Sequence, residues 1–209
     1  MKISQLKSNN IQLRLFDDPL ISHAYVRNYL GNFVEDLTAY FFNGERHKTD
    51  SRCDYCPDVS ISPSETVSKR IYLECKSVGK GGQVFVYSGR IEKDIEFSNT
   101  FSLFYVIWHH KTQTRKASTA RELKTLFLQN LCSTYLVPFS VIHEKLMTAK
   151  KMKLNSGYGG TNREVYGDGR RFSVRLLDDW KVIEWENGIQ TESLLNVKSY
   201  KCCEAKSTE

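Results

Sequence analysis

The sequence predicts an α/β protein built as a mixed β-sheet flanked by α-helices, with a β-rich C-terminal extension. Three observations carry this. A helical apolar stripe runs through Ile21–Asn43, where Val26, Leu30, Phe33, Leu37 and Tyr40 recur every three or four residues. Short apolar-alternating runs follow at Val59–Ile61, Ile71–Cys75 and Gln83–Tyr87, and the nearly continuous run Phe101–Trp108 reads as a central strand buried on both faces. Helix and strand signals then alternate toward the C-terminus, as they do where helices cover a sheet.

The bulk properties fit a single domain over residues 1–209, 40% hydrophobic and 26% charged. No apolar run approaches the ~20 residues that span a bilayer, and the opening M-K-I-S-Q-L-K lacks the apolar core of a signal peptide. A cytoplasmic protein with no membrane partner is therefore expected. The net charge of +6 is concentrated: Lys145–Arg175 holds eight basic residues against two acidic ones, which equals the excess of the whole chain. Such a segment favours a polyanionic partner, although a solvated basic surface has the same composition. The six cysteines do not form a disulfide framework in a chain of this kind. Cys53-x2-Cys56 has half the spacing of a zinc site, and no second pair follows to complete it.

In chain order, a polar lead-in over 1–18 gives way to the first helix, whose stripe Val34 and Phe41 widen. Asn43-Gly44 ends it, with Gly44 expected to supply the left-handed cap. Within it, Gly31-x3-Glu35 spans one turn, so Gly31 would admit a close neighbour and Glu35 would point at it. Val59–Ile61 and Ile71–Cys75 read as adjacent strands across a Pro/Ser-rich segment. Gly79-Lys80-Gly81-Gly82 then makes a turn into Gln83–Tyr87, with Val84 and Val86 on one side. His109-His110 punctuates the end of the central strand and is not read as a metal pair. Thr119-x-x-Glu122 opens a second helix as a capping box, burying Leu123, Leu126, Phe127 and Leu131. Tyr135–Val137 is a short strand broken by Pro138, and Ser140 caps a third helix to about Met152. Its basic end (Lys145, Lys150, Lys151, Lys153) suits the helix dipole. Asn155–Gly169 is a Gly-rich loop of the length that usually serves function. Phe172–Leu176 is a strand with Arg175 on its polar side, turned by Asp178-Asp179 into Trp180–Trp185.

One stretch concentrates charge where a sheet would bury it. Alternation puts Ile71, Leu73 and Cys75 on one face of their strand and Tyr72, Glu74 and Lys76 on the other. Pairing with the preceding strand brings Asp58 beside them. Two carboxylates and an ammonium on apolar strands are costly, and chemistry is the usual reason. The competing explanation is a Glu74–Lys76 pair on an exposed strand, with Asp58 in a turn.

Pro57-Asp58, fifteen intervening residues and Glu74-Cys75-Lys76, behind a helix carrying Gly31-x3-Glu35, resemble the motif of the PD-(D/E)xK nucleases. The resemblance spans Tyr25–Gln83, under a third of the chain. It implies a restriction-endonuclease-like fold with a catalytic core over about 20–150. It also implies Mg2+, or Mn2+ in its place, held by Asp58, Glu74 and the backbone carbonyl of Cys75. The ion would acidify water for attack on phosphorus, and Lys76 would orient that water and offset developing charge. Glu35 would orient water or join a second ion; one ion or two is left open. The chain is most similar in plan to small Type II restriction endonucleases, typically homodimers that cut double-stranded DNA. Recognition would fall to residues 145–177, with Lys150, Lys151, Lys153, Tyr158, Arg163, Arg170 and Arg171 as DNA contacts. Lys80 and Arg90 would be phosphate contacts nearer the motif. A repair or recombination nuclease that nicks or resolves junctions, and a non-catalytic DNA-binding protein with a nuclease fold, remain the alternatives.

Overall fold

Leu30, Phe33, Val34 and Leu37 form the buried stripe of the first helix, as their spacing requires. The computed structural model describes residues 26–47, 55–63, 69–112, 117, 119–149, 151–153 and 168–193. Lys150, Tyr158, Arg163, Cys53 and most of the Gly-rich loop lie outside the described residues. In chain order the elements are α1 (Val26–Phe41), β1 (Glu45–Arg46), β2 (Val59–Ile61), β3 (Ile71–Val78), β4 (Gln83–Tyr87), α2 (Ser88–Ser98) and β5 (Ser102–His110). Then come α3 (Ala120–Gln129), β6 (Leu131–Pro138), α4 (Phe139–Thr148), β7 (Lys151–Lys153), β8 (Asp168–Ser173), a 3-10 helix (Val174–Trp180), β9 (Lys181–Glu186) and β10 (Ile189–Ser193).

A seven-stranded sheet runs β1-β2-β3-β5-β6-β9-β10. Only β3 and β5 pair in parallel; the other neighbours are antiparallel. Strands β4, β8 and β7 make a separate antiparallel sheet of three. The mixed sheet flanked by helices is thus as the sequence reads. Strand β5 alternates between two cores: Phe104, Val106 and Trp108 pack with α1 and α3, while Leu103, Tyr105 and Ile107 pack with α2, α4 and the small sheet. Two indoles fix the first core by donating to buried hydroxyls, Trp108 Nε1 to Thr38 Oγ1 and Trp185 Nε1 to Thr134 Oγ1, each at 2.9 Å.

Several local expectations are corrected. Helix α2 is absent from the sequence reading; its two buried residues are Ile91 and Asp94, the second a carboxylate where an apolar side chain is expected. At the end of α1 it is Asn43, with φ of 50°, that adopts the left-handed conformation. Gly44 matters for closeness instead: a Cβ there would lie 2.7 Å from Val59 Cγ1 and 2.8 Å from the Ser60 carbonyl oxygen. Gly31 has no close neighbour among the described residues, where a Cβ would meet nothing within 4 Å. Leu131 belongs to β6, not to the preceding helix. Pro138 is the N-cap of α4 and Ser140 sits inside its first turn; Pro fits there because the first turn's N–H groups have no intrahelical partner anyway. That helix stops at Thr148, so Lys151 and Lys153 lie in a strand and their charge has no helix-dipole explanation. Residues 174–180 coil as a 3-10 helix instead of extending the strand, which removes Arg175 from any sheet face. Asn187 and Gly188 both take positive φ, making the two-residue hairpin turn between β9 and β10.

His110 is a satisfied core histidine. Its Nδ1 accepts from the Thr112 N–H at 3.2 Å, its Nε2 lies 3.1 Å from Ser77 Oγ, and it is 3% exposed. Burial, then His109, holds its imidazole down to about 4 from the usual 6.5. The native chain therefore binds fewer protons than the unfolded chain between those values, and stability falls as pH drops from 6.5 toward 4. The loss expected is on the order of 3 kcal/mol at most. His110→Gln should flatten that part of the acid limb in thermal unfolding scans. An unchanged acid limb would contradict the assignment.

Candidate active site

The β2–β3 register pairs Val59 with Leu73, so Asp58, just before β2, lies level with the Glu74–Cys75 step. The ladder ends there, and the Cys75 N–H donates to Oδ2 of Asp58 at 2.7 Å instead of to a strand carbonyl. A strand residue points its N–H and C=O to the same edge, so the Cys75 carbonyl also faces Asp58. Alternation turns Glu74 and Lys76 to the α2 face, opposite the Ile71, Leu73 and Cys75 side chains that pack under α1. Glu74 is 3% exposed. That burial rules out a pair on an exposed strand.

Both oxygens of Glu74 are engaged: Oε1 accepts from Lys76 Nζ at 2.7 Å, and Oε2 from Nη2 of Arg90 on α2. Arg90 also reaches one helical turn onward to Asp94, Nε to Oδ1 at 3.0 Å, and its guanidinium lies 4.3 Å from the Tyr55 ring centre. Asp94 is fully buried and accepts from the hydroxyls of Tyr55 and Tyr105. Arg90 is therefore hydrogen-bonded into this cluster, between Glu74 and Asp94. Tyr55, Asp94 and Tyr105 escaped the sequence reading. The available signals were an Arg–Asp pair one turn apart and a tyrosine inside the central strand, whose hydroxyl needs a buried partner.

Charge in this cluster is unevenly satisfied. Burial, then the neighbouring Glu74, pushes the Asp58 carboxyl up to about 8, against the pull of Lys76 and the Cys75 N–H. Burial depresses the Lys76 ammonium, but Glu74 and Asp58 outweigh it and hold the group above its ordinary value. Two cations, Lys76 and Arg90, face the three carboxylates of Asp58, Glu74 and Asp94. No ion pair on the described residues involves Asp58.

Glu35 stands on α1, the helix covering the other face of β3. Oε2 of Glu35 accepts from Arg46 Nη2 at 2.6 Å and Nε at 2.9 Å, while Nη1 of Arg46 holds Asp36 at 2.7 Å. Burial raises the Glu35 carboxyl despite Arg46, and its charge is felt weakly at Asp58. Glu35 is thus near the cluster but committed to Arg46. Among the described residues no group of three or more His, Cys, Asp or Glu side chains is arranged to hold a metal ion.

The expected DNA contacts separate. Lys80 is exposed in the turn before β4, and Arg171 is exposed on β8, with no ion pair or hydrogen bond from its side chain to the described residues. Arg170 is different: Nη1 donates to the carbonyls of Leu146, Met147 and Ala149 at 3.2, 3.1 and 3.0 Å, closing the C-terminus of α4. That end of its guanidinium is thus committed to capping the helix. Lys151 pairs with Asp168 at 2.8 Å, and Lys153 lies opposite Asp168 in register. Comparison with protein-family models, with characterised proteins and with solved structures returns no match.

Proposed function

We propose that this chain is a metal-dependent nuclease of the PD-(D/E)xK type, with a restriction-endonuclease-like fold, that hydrolyses phosphodiester bonds of double-stranded DNA. The observation that carries this is Asp58, fixed by the Cys75 N–H beside a buried Glu74–Lys76 pair and without an ion pair of its own among the described residues. A carboxylate held that way resists ionising until a positive charge arrives. Asp58, Glu74 and the Cys75 carbonyl offer only hard oxygen donors, the set that Mg2+ or Mn2+ prefers. Held there, such an ion would polarise the phosphodiester and make water more acidic.

The chain's own groups supply the rest. Lys76 stays protonated, is tethered to Glu74 at 2.7 Å, and shares its face of β3. From there it can hold a water by one N–H and offset the negative charge that builds on phosphorus. Glu74 is aimed by β3 itself, and Asp58 is held against that strand by the Cys75 N–H. Phosphate contacts fall to Lys80 and Arg171, and cutting both strands of a palindrome would be met by a homodimer.

Supercoiled plasmid incubated with the protein in Mg2+ and run on a gel tests this. Discrete, reproducible bands support a sequence-specific double-strand cutter, and nicked circles alone point to a repair or recombination nuclease. A mobility shift with intact DNA, on several plasmids and in either metal, would contradict nuclease function. The two arginines give a further check. Arg170→Ala should lower the thermal midpoint, a loss of about 1–2 kcal/mol from three carbonyl contacts. Arg171→Ala should leave the midpoint in place, weaken DNA binding and reduce its salt slope by about 1. The reverse pattern would overturn both assignments.

A further inference from the structure

Arg90 neutralises Glu74 where a divalent cation would otherwise do so. Its Nη2 occupies Oε2 of Glu74, while its Nε is anchored on Asp94 at 3.0 Å. That anchor is fixed from behind, since Asp94 is fully buried and takes the hydroxyls of Tyr55 on one side and Tyr105 on the other. The ring of Tyr55 also supports the guanidinium face. The arginine side chain keeps about a quarter of its surface exposed (26%), so it borders solvent. Arginine is the side chain best shaped to exchange a carboxylate for a phosphate, because both accept from its planar fork.

We propose that Arg90 is a substrate-phosphate ligand of this centre, parked on Glu74 until a divalent cation displaces it. Resting on the nuclease reading above, this makes Arg90 both a competitor of the cation and a catalytic residue. Cation binding at Glu74 frees Nη2, and the Nε–Asp94 contact holds the guanidinium beside the centre while Nη2 turns to a phosphate oxygen. Asp94, Tyr55 and Tyr105 act through Arg90 and are positioning residues.

The opposing roles predict opposite effects of one substitution. In Arg90→Ala, Mn2+ affinity without DNA should rise at least about tenfold, as a charged competitor for Glu74 is removed. At saturating Mn2+, the turnover rate on cleaved DNA should fall about a hundredfold or more. Removing Arg90 leaves Asp94 buried without its cation, so Arg90→Ala/Asp94→Asn is the companion variant; its amide oxygen still accepts from a tyrosine hydroxyl. It should show the same tightening of Mn2+ with a folded near-ultraviolet signature. Mn2+ binding unchanged or weaker in both variants, while the parent binds Mn2+, would overturn the proposal. Failure of the parent itself to bind Mn2+ would instead remove the nuclease reading on which it rests.

Discussion

Lys76→Ala is expected to lower Mg2+-dependent cleavage by at least ~10²-fold without weakening cation binding. Lys76 provides no oxygen to an ion; its ammonium faces the site from the same side of β3 as Glu74, 2.7 Å from Oε1. Its contribution is therefore to the reaction and not to holding the metal. Lys76 Nζ lies 5.7 Å from the Tyr105 ring centre, and a companion Lys76→Met variant keeps an unbranched side chain there while removing the charge. Both variants should bind Mn2+ at least as tightly as the parent, since a nearby positive charge has gone. Cleavage at the parental rate would contradict the role of Lys76. A loss of activity that merely follows lost Mn2+ binding would contradict it equally.

Asp58→Asn is expected to stabilise the metal-free chain at alkaline pH while abolishing cleavage. The folded carboxyl is pushed up to about 8 from 3.8 by burial and by Glu74. Between those values the folded chain holds a proton that the unfolded chain has released, so stability is lost as pH rises from about 4 through about 8. An amide of the same shape still accepts from the Cys75 N–H and carries no charge. The variant and the parent should therefore unfold alike near pH 4. By pH 8.5 the variant's midpoint should exceed the parent's by at least ~5 °C, equivalent to about 2 kcal/mol in a chain of this size. Saturating Mg2+ should close the gap by stabilising the parent alone. A variant less stable than the parent at pH 8.5 without metal would mean that Asp58 is already satisfied in the fold. Function at this position is thus expected to cost stability, as it does where a site is built to bind something not yet present.

The sheet was legible where binary patterning is unambiguous. Ile71, Leu73 and Cys75 against Glu74 and Lys76 set the faces of β3, and the unbroken run from Leu103 to Trp108 required two cores. Asp58, Glu74 and Lys76 were legible for the same reason: charges on apolar strands contradict the pattern. Helix α2 was hidden by that logic, because its buried Asp94 reads as a surface residue until Tyr55 and Tyr105 are brought to it from 39 and 11 residues away. The capping contacts of Arg170 were hidden because a guanidinium closing a helix end is indistinguishable in sequence from one awaiting phosphate. Its three carbonyl partners lie between 21 and 24 residues upstream. Long-range polar pairing, invisible to periodicity, separates the legible site from its supporting layer.

The most direct test is a calorimetric titration of Mn2+ into the metal-free protein, with Asp58→Asn and Glu74→Gln in parallel. It needs no knowledge of a recognition sequence, which a cleavage assay on an arbitrary DNA does. Saturable binding by the parent, lost in both variants while their folds persist, is the predicted result. Binding of equal affinity and stoichiometry in the parent and in Asp58→Asn would contradict a cation site at this cluster.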